Sequence, residues 1–220
     1  MFFIDAAKQE RRMPPRTRNK TTAPGAAESA NGTGSAAQRE RRKRILDATL
    51  ALAAKGGFEA VQMRAVAENA GVALGTLYRY FPSKIHLLVA ALAQEFQLAG
   101  EKLDRSKIPG ETAADRLLYV FERNTTAMQR NPNLTEAMVR AFMFADTTVA
   151  LEVEQVGQLM EDMFARAAGI DNPTEHDRAI FHLIADTWMA NLIAWVTHRV
   201  SSADVHHRIE LAVRLLLDKE

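Results

Sequence analysis

Apolar residues recur at helical spacing along the chain after Lys84, and no stretch longer than a few residues alternates as a strand would. In three places a hydroxyl residue is followed three positions later by a carboxylate, which is a start signal for a helix: Thr112 with Asp115, Thr174 with Asp177, and Ser201 with Asp204. The pattern predicts an all-α fold, with body helices at about 84–105, 113–130, 133–145, 147–168, 175–199 and 202–217.

The segment from Val61 to Lys84 has the spacing of two short helices joined by a tight turn. Gly71 supplies the left-handed residue that ends the first helix, and Val72 is the apolar residue that the turn buries. Pro82 ends the second helix, and Ser83 can cap the next one. Inward positions are predicted for Val66, Ala67, Ala70, Leu77, Phe81 and the ring of Tyr78, and outward positions for Arg64, Gly75, Thr76, Arg79 and Tyr80.

The outward residues suit the major groove of DNA. Gly75 lets the backbone come close, Thr76 offers a hydroxyl and a methyl group to base edges, and Tyr80 and Lys84 reach phosphates. The alternative is that the aromatic residues here are only core side chains. The upstream sequence favours DNA binding, because a basic run between Arg39 and Arg44 leads into an amphipathic helix that completes a three-helix head.

Residues 38–92 resemble the DNA-binding domain of the TetR family of transcriptional repressors. The family's signature is a Gly-Val turn followed by Leu-Tyr-x-(His or Tyr)-Phe-x-x-Lys, and this chain has Gly71-Val72 and then LYRYFPSK. QRERRKRILDAT, NPNLTEAMVRAF and the region from Trp188 to Trp195 are similar to the family's actinobacterial repressors of cholesterol catabolism. The resemblance covers nearly everything after Ser35 and implies a helix-turn-helix head joined to a helical ligand-binding and dimerisation body.

Two positions depart from the family pattern. Ala73 stands where a capping Ser or Thr is common, and Gln62 stands where a Thr often caps the preceding helix. Both changes weaken a cap and remove a hydroxyl that contacts phosphate, so Gln62 and Arg64 are expected to take over those contacts. The residues expected at the DNA surface are Arg39, Arg42, Gln62, Arg64, Ala73, Gly75, Thr76, Tyr78, Arg79, Tyr80 and Lys84.

Charge divides the chain into two parts. Residues 1–85 hold 15 Lys and Arg against 7 Asp and Glu, whereas residues 86–220 hold 13 against 20, so the net charge of +1 combines a basic front with an acidic back. A basic head gains affinity for phosphate, although solvated faces explain most individual charges. We predict a disordered basic tail at 1–34, a DNA-binding head at 35–84 that begins with a cap at Ser35, and a body at 85–220.

The apolar positions of the body hold many large, flexible side chains. Met and Phe can line an adaptable cavity, but ordinary core packing is the simpler account of any single one. Polar residues on the same faces either orient a ligand or are satisfied core amides. The predicted ligand-binding residues are Leu92, Phe96, Phe121, Asn124, Thr125, Met128, Met138, Phe142, Met160, Phe164, Trp188 and Asn191.

The last two helices carry more apolar surface than one partner face requires, which favours a homodimer. The TetR-like architecture pairs these helices across a two-fold axis. Two heads would then enter major grooves about 34 to 36 Å apart, or a multiple of that distance, so a near-palindromic double-stranded operator is expected. The predicted interface residues are Leu183, Trp195, Val205, Ile209, Ala212 and Leu216.

The nature of the effector is implied by the resemblance alone. It implies a sterol-derived acyl-CoA thioester whose rings enter the cavity and whose binding releases the operator, with Arg123, Arg130 or Arg140 near the phosphates. A different lipid or drug is the alternative. No cofactor is expected.

Several functional classes are disfavoured by composition. The chain has no cysteine, which excludes disulfides, thiolate metal sites and cysteine nucleophiles and suits a reducing cytoplasm. Its histidines form no metal pattern and no nucleophile motif is present, so we expect neither catalytic nor metal-binding residues; an all-helical enzyme or a protein-binding scaffold are the rival functions. The apolar stretches near Trp188 and Trp195 are interrupted by Asp186, Asn191 and His198 and are expected to be too short and polar for a membrane span.

Overall fold

The computed structural model describes the backbone of residues 30–218 and the side chains of residues 36–218. Within this range the chain forms helices and two short 3₁₀ turns, at Arg105–Lys107 and Thr147–Val149, but no strand, which confirms the all-α fold. The helices are α1 (Ala30–Ala60), α2 (Met63–Ala70), α3 (Leu74–Tyr80), α4 (Lys84–Lys102), α5 (Ala113–Arg130), α6 (Pro132–Met143), α7 (Ala150–Ala168), α8 (Glu175–Val196) and α9 (Ser202–Leu217).

All three predicted capping boxes are present, at the starts of α5, α8 and α9. At α8, for example, the Thr174 hydroxyl accepts a hydrogen bond from the Asp177 N–H at 3.2 Å, and the Asp177 carboxylate accepts one from the Thr174 N–H at 2.9 Å. These bonds satisfy N–H groups that a helix cannot satisfy internally. In the equivalent box at α5, hydrogen bonds from Thr112 hold the pKa of Asp115 below its usual range.

Several boundaries differ from the predicted ones. Helix α1 begins at Ala30 and passes through Ser35, so the predicted cap at Ser35 was wrong. Helix α4 ends at Lys102 rather than 105 because Leu103 is extended, and α8 ends at Val196 because His198 has a positive φ of 58°. Residues 1–29 of the predicted tail lie outside the described residues, and the division into head and body at residue 84 stays a prediction.

Helix α1 has a kink at Gly56-Gly57. Gly57 has φ 67° and ψ −161°, a conformation that residues with a Cβ rarely adopt. The kink redirects the last residues of α1, Phe58 to Ala60, away from the axis of the long N-terminal portion. The glycine pair therefore sets where the chain enters α2.

Helix α4 lies at the centre of one continuous hydrophobic core. Residues 87–93 are all buried, so this part of the helix is covered on every side. Helices α1, α6 and α7 supply the cover, while α5 packs against α7 and α9, and α8 against α7 and α9. The same core includes Leu77 and Phe81 of the helix-turn-helix region and Trp188 of the body. Head and body are therefore packed as one unit through α4.

Helix α8 contains a long apolar stretch after a charged first turn. An 18-residue window within its 22 residues reaches a mean hydropathy of 1.4, so by length and composition it is long and apolar enough to cross a membrane, and the prediction that this region is too short was wrong. Ile180, Phe181, Ile184, Trp188 and Leu192 are buried against the rest of the protein. The core helix of a globular protein has the same composition, so the helix carries no separate argument for a membrane.

The cap of α8 provides a test of the fold. Thr174→Ala removes the hydroxyl that accepts the Asp177 N–H, so we expect it to destabilise the protein by about 1 kcal/mol and to lower Tm by about 2 to 4 °C. Thr126→Ala, at an exposed position within α5, is the matched control and should leave Tm nearly unchanged. Thermal unfolding followed by circular dichroism measures both. Equal shifts in the two variants would show that the cap is not a stabilising element.

Candidate nucleic-acid interface and ligand cavity

Helices α2 and α3 are joined by the tight turn that the sequence predicts. Gly71 has the left-handed conformation, with φ 64° and ψ 41°, and its N–H and that of Val72 bond to the Glu68 and Ala67 carbonyls at 3.2 and 3.0 Å. Leu77 and Phe81 are buried, one turn apart, and fix α3 on the core. One face of α3 is therefore held firmly and the opposite face is presented to solvent.

Two aromatic residues of α3 exchange the positions that the sequence predicted for them. Tyr78 was expected to bury its ring, but it is 47% exposed, whereas Tyr80 was expected outside and is half-buried with its ring 6.3 Å from that of Phe81. The helical period explains this result. Relative to Leu77, residue 80 lies only about 60° around the helix axis and residue 78 lies about 100° away. Tyr78 is thus the aromatic residue available to a partner of α3.

The remaining predicted residues of α2 and α3 lie on this exposed surface. Gly75 faces open space, with no atom within 4 Å of the position that a Cβ would occupy, and Thr76 beside it is partly exposed. Arg79, Ala73 and the α2 residues Gln62 and Arg64 are exposed. The side chains of Gln62 and Ala73 make no capping hydrogen bond, in agreement with the prediction that these positions weaken their helix caps.

A groove of about 490 Å³ runs between the N-terminal part of α1 and α3. Arg41, Arg79 and Tyr80 line it together with Ala37 and Gln38. Arg41 belongs to the basic run of the sequence, but it was not among the predicted DNA contacts. It lies three residues after Gln38 on the same helical face, and this spacing could have identified it as a groove residue. The groove joins α1 and α3 into one basic surface.

The two predicted arginines of α1 lie beside this groove. Arg39 is exposed. The guanidinium group of Arg42 lies 5.5 Å from the centre of the Phe81 ring, so it packs on the helix-turn-helix core while it remains exposed.

Lys84 does not lie on this surface as a free cation. Its Nζ is 3.8 Å from the centre of the Phe58 ring and 4.0 Å from Glu59 Oε2, and its side chain is 24% exposed. Partial burial lowers the pKa of Lys84, and the neighbouring Glu59 carboxylate opposes that shift. Lys84 was predicted to contact a DNA phosphate, whereas in this structure its ammonium group contacts Phe58 and Glu59 of the same chain.

A second cavity, of about 260 Å³, lies at the C-terminal end of α4. Of the predicted ligand-binding residues only Asn124 lines it. The wall is formed by the end of α4, the segment that follows it, α5 and one residue of α7: Ala99, Lys102, Leu103, Asp104, Lys107, Ile108, Tyr119, Val120, Arg123, Asn124 and Met163.

The other predicted ligand-binding residues do not line this cavity in the structure, and their part in ligand binding stays a prediction. Phe121 lies 5.1 Å from Phe164 and 5.3 Å from Trp188, ring centre to ring centre, and these rings fill the space between α5, α7 and α8. Asn191 donates to the Thr187 carbonyl at 2.8 Å, so it is a satisfied core amide. Leu92, Phe96, Met128, Met138 and Met160 are buried, and Thr125 and Phe142 are half-buried.

The mouth of this cavity is rich in charge. Lys102, Lys107 and Arg123 supply cations, and Arg123 donates to the Tyr119 hydroxyl at 3.0 Å. Asp104 is the one acid on the wall; hydrogen bonds from Ser106 and Lys107 hold its pKa at about 2, so it is ionised at neutral pH. Of the arginines predicted to hold phosphates, only Arg123 is at the cavity: Arg130 lies at the exposed end of α5, and Arg140 bonds to Glu136 and Glu59.

Helices α8 and α9 expose apolar side chains on their outer faces. Leu183 is 53% exposed and Leu215 is 74% exposed, while Trp195, Ala212 and Leu216 are partly covered. Val205 and Ile209 are only 1% and 3% exposed because they face α5 and α8 of the same chain, so their assignment to a subunit interface was wrong. Leu211 lies on the opposite side of α9 from Ile209 and is exposed.

Within residues 36–218 no three His, Asp or Glu side chains converge as metal ligands would. His182 contacts Glu161 and Asp186 on the exposed surface of α7 and α8. Within these residues the candidate functional sites are therefore the basic surface of α1 to α3 and the cavity at the end of α4.

Comparison with known proteins agrees with this division. Residues 45–91 match the family described as bacterial regulatory proteins, tetR family, and residues 110–216 match the tetracyclin repressor-like C-terminal domain. The chain is 59% identical over 192 residues to the HTH-type transcriptional repressor KstR of Mycolicibacterium smegmatis, covering 87% of this chain and 94% of the relative. The chain belongs to the TetR family of transcriptional repressors.

Solved structures of TetR-family regulators share the fold. A TetR transcriptional regulator from Rhodococcus sp. RHA1 superposes with a TM-score of 0.74 at 36% identity, covering 81% of this chain and 96% of that one. The TetR-family repressor FadR of Thermus thermophilus, solved in complex with lauroyl-CoA, gives a TM-score of 0.61 at 22% identity over 80% of this chain and 92% of that one. The family match supports a DNA-binding helix-turn-helix in this chain, and the exposed face of α3 is the surface that we expect to contact DNA.

Substitutions on α3 should separate base recognition from phosphate contact. Arg79→Gln removes an exposed cation of the groove, so we expect a loss of affinity for every sequence and a slope of log K against log salt concentration that is less steep by about 0.9 for each bound subunit. Thr76→Ala should instead change the preference at one or two base pairs of each half-site and leave the slope unchanged. Titrations of operator variants by fluorescence anisotropy between 50 and about 200 mM salt measure both quantities. A uniform loss with Thr76→Ala would place Thr76 among the phosphate contacts.

Proposed function

We propose that this TetR-family chain is a ligand-responsive repressor that binds a near-palindromic operator as a homodimer and is released by a hydrophobic acyl-CoA effector, most specifically a sterol-derived CoA thioester. Genes of sterol or lipid catabolism are the regulated class. The proposed partners are double-stranded DNA, the effector and a second copy of the chain, in the cytoplasm, without a cofactor.

One observation carries this proposal. The DNA-facing surface and the basic-rimmed cavity lie at opposite ends of a single buried helix, α4. A change in the position of the α4 C-terminal end is therefore transmitted through a packed helix rather than through a flexible linker. This is the arrangement that an effector-controlled DNA-binding protein requires.

The chemistry of the cavity supports a CoA thioester. Ala99, Leu103, Ile108, Val120 and Met163 give its interior an apolar wall for an acyl or sterol group. Lys102, Lys107 and Arg123 at its mouth suit the phosphates of a nucleotide. The lauroyl-CoA complex of the T. thermophilus FadR supports an acyl-CoA in this fold. The preference for a sterol skeleton over a linear chain comes from the resemblance of the sequence to actinobacterial repressors of cholesterol catabolism.

The size of the cavity indicates how binding could change the structure. Its volume of about 260 Å³ is below the range of about 300 to 1,000 Å³ that is usual for sites of drug-sized ligands. A bulky effector must therefore displace side chains of the neighbouring cluster around Phe121, Phe164 and Trp188. The state that accommodates the effector differs in packing from the state described here, and that difference is what couples binding to release. A different lipid or drug is the second candidate because the same cluster can repack around other apolar shapes.

The effector is tested by DNA release and by thermal stabilisation. At saturating concentration a sterol-acid CoA thioester should dissociate the operator complex and raise Tm through ligand linkage, whereas the free acid should do so weakly because it lacks the phosphates. Arg123→Gln should weaken binding of the thioester about tenfold, since it removes a charge-assisted contact. Arg130→Gln, on the same helix but away from the cavity, is the control and should bind as the parent does. Absence of release and of stabilisation in the parent would exclude this effector, and a response to stearoyl-CoA alone would indicate a linear acyl group.

The homodimer is tested by placing a charge on the exposed apolar face of α8. Leu183→Glu introduces a carboxylate where an apolar partner surface is proposed, so we expect sedimentation to show a monomer and operator affinity to fall about 100-fold or more, because two heads no longer bind together. Leu151→Glu, at a still more exposed leucine on α7, is the control and should remain dimeric. A dimeric Leu183→Glu variant would contradict the assignment of this face.

A further inference from the structure

The kink of α1 and the start of α4 meet at one aromatic ring, that of Phe58. The Lys84 Nζ lies 3.8 Å from the ring centre and the Arg140 guanidinium carbon lies 4.4 Å from it. Arg140 also donates to Glu59 at 3.0 Å and to Glu136 at 2.8 Å. We call the group formed by Phe58, Lys84, Glu136 and Arg140 the Phe58 junction. It joins three elements: the end of α1, the first residue of α4, and α6.

Helix α6 satisfies the backbone of α1 where the kink leaves it open. The Glu136 carboxylate accepts the Phe58 N–H at 2.9 Å, and Asn133 donates its side-chain amide to the Ala54 and Lys55 carbonyls at 3.4 and 3.3 Å. A Cβ on Gly57 would stand 2.8 Å from the Glu136 Oε2, so the kink and the carboxylate fit only with glycine there. The close approach of α6 to α1 is therefore specified by particular residues and not only by apolar packing.

Lys84 has partners for its charge within the junction. Its side chain is only 24% exposed, and the ammonium group lies on the Phe58 ring near Glu59. Desolvation lowers the pKa of Lys84, as expected for a cation that has given up water for an aromatic face. A lysine that contacts a DNA phosphate would have to leave these partners.

The junction and the cavity lie at opposite ends of α4. Lys84 is the first residue of this helix, and Ala99 and Lys102 in its last turn line the cavity. The helix is 19 residues long and so extends roughly 28 Å. A second route runs through α5, where the cavity residues Arg123 and Asn124 lead to its C-terminal end, and the Thr135 hydroxyl of α6 donates to the Met128 carbonyl at 3.0 Å. Both routes from the cavity end at the Phe58 junction.

We propose that the Phe58 junction fixes the orientation of the DNA-binding head on the body and transmits the effector signal to it, and that Lys84 is a positioning residue rather than a phosphate ligand. The effector part of this proposal rests on the proposed function. The part that concerns Lys84 and the head does not, because it can be measured on the ligand-free protein.

The role of Lys84 is decided by salt dependence and by a double-mutant cycle with Phe58. Lys84→Met keeps the stem and removes the charge, so operator affinity should fall about three- to tenfold, the amount expected for a partly desolvated cation–π contact, while the salt slope stays that of the parent. Phe58→Leu should cause a similar loss, and the double variant should lose little more, because both changes break one contact. Arg79→Gln is the control whose slope does change.

Three results would overturn this assignment. The first is a salt slope that becomes less steep by about 0.9 for each bound subunit in Lys84→Met, as for a phosphate contact. The second is a loss of operator affinity in the double variant that equals the product of the losses in the two single variants. The third is an unchanged affinity in both single variants. If Phe58→Leu lowers Tm so far that the folded fraction is incomplete, Phe58→Met takes its place in the cycle, since it also removes the ring that Lys84 contacts but keeps a larger, flexible apolar side chain.

The transmission role is tested with the CoA thioester of a sterol side-chain acid as the probe. The coupling factor is the ratio of the operator affinities measured without and with the thioester. It should be well above one in the parent and should approach one in Phe58→Leu and Arg140→Met. The affinity of these variants for the thioester without DNA, measured by calorimetry, should be unchanged. A parent that does not respond to the thioester would refute the proposed effector and leave the salt-slope result standing. A parent that responds, with variants that respond equally, would refute transmission through the junction.

Discussion

The burial of α4 on all sides is the constraint on which the rest of this structure depends. Residues 87–93 leave no solvent-facing stripe, so the helix must be enclosed by α1 from the head and by α6 and α7 from the body. A surface helix can tilt by exchanging contacts with water, but an enclosed one moves only if its neighbours repack. The head is therefore oriented by the interior of the body, and two discrete packings of that interior would give two discrete head orientations.

The helix boundaries could be predicted well because their signals are local. A hydroxyl and a carboxylate three residues apart satisfy the same N–H groups wherever the helix lies, so the starts of α5, α8 and α9 were confirmed from Thr112, Thr174 and Ser201. The turn at Gly71 is equally local. The same reasoning failed at Ser35, where a helix that had already begun passed through the signal.

The faces of the body helices could not be predicted because they depend on contacts between helices distant in sequence. Helix α9 is apolar at Val205 and Ile209 and also at Leu211 and Leu215, and only the position of α5 decides that the first pair is the core side. The residues that line the cavity could not be predicted for the same reason. Composition shows that Phe121, Phe164 and Trp188 are large, but not that they fill the space which they were expected to surround. The sign of a charge is visible in sequence, whereas the partner of Lys84 is not.

Gly75 shows where folding and recognition make different demands on the same residue. Nothing in the chain occupies the space beside it, so an alanine there would fit, and it would stabilise α3 by up to about 1 kcal/mol relative to glycine. Only a surface that approaches α3 from outside would favour glycine there. In the proposed homodimer, a subunit with a bulky residue at this position would fold and assemble as the parent does but would hold its head off the duplex. Mixed with normal subunits, it would form dimers that cannot occupy both proposed half-sites, so a change in one gene copy would act as a dominant trait.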